Sequence, residues 1–124
     1  MTREEVISYI KSKKYIEHEI SGIYKHKKYS WIHPDGLNIF TCLYFENMPG
    51  KRNNFIIASG AGDHSRKCAI GLQKRKTYKL NQLTPELLDK IVDEILPQMY
   101  CEVEQDIKVY KIKQNIKNFE KDFQ

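Results

Sequence analysis

The stretch Ser59-Gly60-Ala61-Gly62-Asp63-His64-Ser65-Arg66-Lys67 has the spacing best suited to holding an anion. Its glycines let backbone N–H groups turn toward one point, two serines add hydroxyls, and Arg66 and Lys67 supply positive charge. It lacks the GKS or GKT of a phosphate-binding P-loop, and no helical pattern follows it, so a dinucleotide fingerprint is excluded. The same residues also fit an ordinary hairpin loop whose glycines serve a turn. As a binding element, the segment contributes Ser59, Gly60, Gly62, His64, Ser65, Arg66 and Lys67.

A second pattern is the basic–aromatic run Tyr24-Lys25-His26-Lys27-Lys28-Tyr29-Ser30-Trp31. Interleaved rings and cations suit a nucleotide or single-stranded nucleic acid, because rings stack on bases and cations meet phosphates. Lys28 and Trp31 are its candidate contacts. Lys51 and Arg52, and the Lys74-Arg75-Lys76 cluster, would extend the surface. The competing reading is a half-buried strand with rings inward and lysines outward.

His33 with Asp35, and Asp63 with His64, form two His–Asp pairs in separate turns. Brought together, they would make a metal site or a general acid–base pair. Neither pair has ordinary metal-ligand spacing, and a third ligand would have to come from Cys42 or Cys68. No serine nucleophile elbow, Cys–His pairing, carboxylate dyad or zinc-knuckle spacing occurs, and no cofactor is expected. Lastly, Ile112, Ile116, Phe119 and Phe123 recur at helical spacing with lysines between them, a stripe suited to covering a sheet or docking on a partner or second copy.

These residues must be carried by secondary structure, and the pattern of the chain is legible. Thr2 with Glu5 is a capping box, and Val6, Ile7 and Ile10 give one apolar stripe, so residues 3–13 are expected as a helix. From Tyr15 the period becomes two. Strands follow over 16–20, over 23–33, over 37–46 (LNIFTCLYFE) and over 55–58, and alternation resumes from Arg66 to Leu80. Pro34-Asp35-Gly36 and Met48-Pro49-Gly50 mark turns. Thr84-Pro85-Glu86 opens a helix, which Pro97 should end or kink near Leu96. A final helix is expected over about 103–121, with Ile107-Lys108-Val109 also readable as a strand. The expected fold is a single α+β domain over residues 1–124. It has an N-terminal helix, an antiparallel four- to five-stranded meander, and two C-terminal helices packed on one face of the sheet.

Charge is distributed unevenly along that scheme. From Lys11 to Lys79 fourteen Lys or Arg face five Asp or Glu, whereas from Leu80 onward six Lys face nine acids. A net charge of +5 thus hides a basic strand region and a mildly acidic tail, a polarity that favours anionic partners. Lys outnumbers Arg 17 to 4, which argues against bidentate base reading and fits an A/T-rich genome, such as a low-GC bacterium or its mobile elements. The mean hydropathy of −0.64 and 30% charged residues describe a soluble chain, expected in the cytoplasm and away from membranes. Three widely spaced cysteines, Cys42, Cys68 and Cys101, suggest reduced, mostly buried thiols rather than a disulfide framework.

The sequence therefore points first to a small non-enzymatic protein that binds an anionic ligand, nucleotide or nucleic acid. Its contacts are Lys28, Trp31, Lys51, Arg52, Lys74, Arg75 and the 59–67 segment, and salt should weaken the binding steeply. A second expectation is a protein–protein inhibitor or accessory factor of a phage or plasmid, with its basic face on an acidic or nucleic-acid-binding surface of a host enzyme. A stoichiometric partner recovered without any nucleotide affinity would mark that case. A third is a His/Asp metal-dependent hydrolase, dismissed if the purified protein holds no metal. A homodimer is compatible with the two apolar faces of the 37–46 strand.

Overall fold

A computed structural model describes residues 1–20, 26–34, 38–61 and 73–122. In chain order it contains helix α1 (Arg3–Lys11), strands β1 (Ile16–Ile20), β2 (His26–Ile32), β3 (Ile39–Phe45), β4 (Asn54–Ala61) and β5 (Gln73–Lys79), then a 3-10 turn (Leu80–Gln82), helix α2 (Pro85–Lys90), a π-helical turn (Ile91–Ile95) and helix α3 (Leu96–Asp122). The strands form one antiparallel sheet in the order β1-β2-β3-β4-β5. The expected α+β architecture is the one observed, with the two C-terminal helices joined into a continuous run.

Local chemistry explains the boundaries. Thr2 and Glu5 make the reciprocal capping box at α1, with Glu5 N–H donating to Thr2 Oγ1 at 3.2 Å and Thr2 N–H donating to Glu5 Oε1 at 3.1 Å. The β3–β4 connection turns at Met48-Pro49-Gly50-Lys51, where Lys51 N–H donates to the Met48 carbonyl at 3.0 Å. Gly50 has φ +81° there, the third-position conformation that glycine adopts without Cβ strain. Thr84 accepts from Leu87 N–H and Pro85 follows it, the start signal expected for α2.

Pro97 does not end the helix. Proline removes one N–H donor and crowds the carbonyl four residues back, and the wider turn over Ile91–Ile95 lies directly upstream. The chain absorbs the misfit there and runs on as helix to Asp122, so Ile107-Lys108-Val109 is helical and not a strand.

Pleat alternation and register divide the sheet into two faces. Tyr29 and Trp31, Thr41, Leu43 and Phe45, and Phe55, Ile57 and Ser59 share the face toward the helices. The main core forms where Leu43, Phe45, Phe55 and Ile57 meet Val6 and Ile10 of α1, Leu88 of α2, and Ile91, Leu96 and Met99. Ile39 and Ala61 continue it against Val103 and Ile107 of α3. Phe40, Cys42, Ile56 and Ala58 are buried on the opposite face. Of the cysteines expected to be mostly buried, Cys42 is buried, Cys101 is exposed and Cys68 lies outside the described residues.

Helix α3 has 27 residues, about 40 Å at 1.5 Å per residue, and its burial stops at Ile107. Beyond it Val109, Ile112, Ile116 and Phe119 are 49%, 58%, 53% and 64% exposed. The expected sheet-covering role of the Ile112 stripe is therefore filled one to three turns earlier, by Leu96, Met99, Val103 and Ile107.

Candidate functional site

Trp31 is the predicted ligand contact that lines a cavity. The strand-end order places it near the start of β1, the β2–β3 connection and the π-helical turn. There a cavity of about 260 Å³ is lined by Lys14, Tyr15, Trp31, His33, Thr41, Val92, Leu96, Pro97 and Tyr100. Each comes from a different local cause. Tyr15 is the last residue before β1 and shares the helix-facing parity of Glu17. Trp31 and Thr41 pair across β2 and β3 on that same face. His33 is fixed by its N–H, which donates to the Ile39 carbonyl at 2.9 Å and closes the β2–β3 connection. Val92 belongs to the π-helical turn, and Leu96, Pro97 and Tyr100 lie on the helix that follows it, so the turn that accommodates proline also shapes this wall.

The rings lie against one another. His33 stands 4.0 Å from Trp31 edge-on and 4.2 Å from Tyr100 in a tilted arrangement, centroid to centroid. Lys14 Nζ lies 3.7 Å from the centroid of the Trp31 ring, a cation–π contact at the rim. Burial pushes the Tyr15 phenol up to about 12, opposed by the neighbouring Thr41 hydroxyl and reinforced by Cys42 and the negative charge of Asp93. Tyr15 is thus a neutral hydrogen-bonding group at physiological pH. Among the described residues the lining contains no carboxylate and no thiol.

Such a cavity can hold one planar ring against aromatic walls and place a negative substituent beside Lys14. At about 260 Å³ it lies just below the common range of roughly 300–1,000 Å³ for small-molecule sites, which suits a single ring system more than an extended cofactor. π-Helical turns recur at functional sites, because the widened ladder redirects side chains that a regular helix would align.

Among the described residues the other predicted contacts do not converge on Trp31. Lys28 and Arg75 lie on the opposite sheet face by register, where both approach Tyr44: Lys28 Nζ is 4.5 Å from its ring, and Arg75 lowers a Tyr44 pKa that burial raises. Arg75 also reaches Glu46 Oε1 at 3.3 Å. Lys74 has the helix-facing parity and bridges Asp106 of α3 at 3.4 Å, so the 74–76 cluster is split by the pleat and is not one basic stripe. Lys51 and Arg52 are exposed at the far end of the sheet, in the β3–β4 connection.

Ser59 and Gly60 were expected in a glycine-rich loop, and they are instead inside strand β4. Ser59 is fully buried and donates its hydroxyl to the Phe40 carbonyl at 3.1 Å, so its side chain is committed to the sheet. Gly62, His64, Ser65, Arg66 and Lys67 lie outside the described residues, as do Asp35 and Asp63. Of the two His–Asp pairs only His33 is described, and it packs among rings. Among the described residues no group of three His, Cys, Asp or Glu could hold a metal ion.

Lys14, Tyr15 and Tyr100 were not singled out from sequence. The available signal was the switch from helical to alternating period at Tyr15, which places it opposite Trp31 on a neighbouring strand. Tyr100 falls one turn after Leu96, on a helix expected to break there.

No protein-family description matches this chain, and neither curated proteins nor solved structures show a detectable likeness to it. Among the described residues no helix is long and apolar enough to cross a membrane.

Proposed function

We propose that this protein is a binding protein for a small planar anion of the nucleotide class, held in the Trp31 cavity with its ring against the aromatic wall and its negative group toward Lys14. The observation that carries the reading is the coincidence, in one cavity, of Trp31, His33 and Tyr100 ring contacts with the Lys14 ammonium at the rim. Stacking is worth roughly 1–3 kcal/mol per base, and a single rim cation adds orientation more than affinity. Thr41 and Tyr15 offer hydroxyls at the edge of the ring, a means of choosing among ring types. The chemistry required is an aromatic ring bearing a negative group, which a free nucleotide or the exposed end of a nucleic-acid strand both supply.

Trp31 is the sole tryptophan, so its emission reports this cavity directly. Titration with nucleoside monophosphates should change the emission saturably, with nucleosides binding more weakly and inorganic phosphate causing no change. Short oligonucleotides binding better than mononucleotides would identify the strand end as the ligand. The reading fails if no nucleotide or oligonucleotide perturbs the emission and calorimetry detects no binding.

A further inference from the structure

Val109, Ile112, Ile116 and Phe119 form an apolar seam beyond the point where α3 leaves the sheet. At about 100° per residue, their mean direction lies roughly 165° from that of Leu96, Met99, Val103 and Ile107. The seam therefore faces away from the core, and its four side chains are about half exposed or more. Together they present on the order of 400 Å² of apolar surface, the size of the largest patches on ordinary monomers, which often mark interfaces.

The spacing specifies the shape of the occupant. Steps of three, four and three residues are those of a two-helix seam, in which each side chain enters a gap of a facing helix. The residue types specify its identity, because the seam is self-complementary about Gln114. Reversed against itself, Val109 meets Phe119 and Ile112 meets Ile116, so small opposes large at the ends and equal volumes meet in the middle. A parallel pair would set Phe119 on Phe119 and leave Val109 on Val109.

Charge selects the same orientation. Lys108, Lys111 and Lys113 with Asp106 leave the near end at +2, whereas Lys117 and Lys121 with Glu120 and Asp122 leave the far end neutral, so reversal lays a positive end over a neutral one, where a parallel pair sets the two positive ends together. Two such seams with their flanking lysine stems bury on the order of 1,000 Å², at the lower edge of specific interfaces, which fits a weak, concentration-dependent association.

We propose that the C-terminal half of α3 pairs antiparallel with the same segment of a second copy of this chain, Val109 against Phe119 and Ile112 against Ile116. Sedimentation of the full chain over a concentration series should show a monomer–dimer equilibrium, weakened at least about tenfold by Ile116→Lys. Orientation is read by comparing I112K/I116K with I112K/I116E. In an antiparallel seam position 112 of one copy faces position 116 of the other. The second variant therefore sets lysine against glutamate and restores association relative to the first, which has lysine against lysine. All these changes are on exposed positions, and unchanged Trp31 emission and circular dichroism would confirm that the fold is retained. A chain that sediments as a monomer at its solubility limit overturns the proposal. So does a dimer indifferent to Ile116→Lys, or equal association of the two double variants. Because Trp31 and the seam are read by separate measurements, failure of one leaves the other standing.

Discussion

The ammonium of Lys14 sits 3.7 Å above the ring of Trp31, joining the exit of α1 to the middle of the sheet. Among the described residues it is the one cation lining the 260 Å³ cavity, whereas the neighbouring Lys13 lies over a different ring, Tyr9, at 5.0 Å. Lys14→Ala should therefore weaken nucleotide binding by roughly 2- to 5-fold, the value of one solvent-exposed charge pair with the ligand's negative group, and should flatten its salt dependence. Lys13→Ala, the same charge removed one position away, should leave the Trp31 titration unchanged. Equal effects of the two substitutions would show that only overall charge matters.

Alkaline titration probes the same wall. Tyr15 keeps its proton up to about 12 against an ordinary value of 10.0, because burial penalises the phenolate. The sign follows directly: the folded state holds the proton more tightly than the unfolded state. The stabilisation is complete below pH 10 and is lost as pH rises from 10 through about 12. Tyr15→Phe should remove that part of the alkaline loss, on the order of 2 kcal/mol at its full extent. Phenolate absorbance and urea midpoints measured across this range would check it. A Tyr15 that ionises near its ordinary value sinks the prediction.

Where α3 leaves the sheet can be read from stability. Ile107 is 4% exposed and Ile112 is 58% exposed, one to two turns apart on one helix. Ile107→Ala should cost about 2–4 kcal/mol of unfolding free energy, since a packed isoleucine leaves a cavity. Ile112→Ala should change the stability of the dilute monomer by less than about 0.5 kcal/mol. Similar costs at both positions would mean that the helix packs along its whole length.

On the sheet face away from the helices, Arg75 crosses β4 to reach Glu46 at 3.3 Å, and Glu46 Oε2 is a buried atom with no hydrogen-bond partner among the described residues. Removing the guanidinium leaves that carboxylate without its cation. Arg75→Ala should destabilise by about 1–2 kcal/mol, and Glu46→Gln in the Arg75→Ala background should recover part of it. Additive effects of the two substitutions on urea midpoints would mean that the pair does not interact energetically.

Local signals carried much of this architecture in the sequence. The Thr2/Glu5 box, the Pro49-Gly50 turn and the Thr84-Pro85 start all act within a few residues, so each could be recognised where it stood. Alternation also placed Tyr29 and Trp31 opposite Lys28. The cavity was not legible in this way. Lys14, Thr41 and Tyr100 are far apart along the chain and become neighbours only through register and helix docking. The π-helical turn has no signal of its own beyond Pro97, which read as a stop. Ser59 and Gly60 misled because small residues serve a loop or a tightly packed strand equally well, and the strand's partners decide between them.

Strand β5 has one further consequence. Four of its seven residues are Lys74, Arg75, Lys76 and Lys79, and it is the last strand of the described sheet. Two copies brought edge to edge through β5 would set cation against cation along the new ladder, an arrangement that resists sheet extension. The basic composition of this strand also works as a boundary. It keeps the β5 edge from pairing with its own kind, so self-association must find another surface.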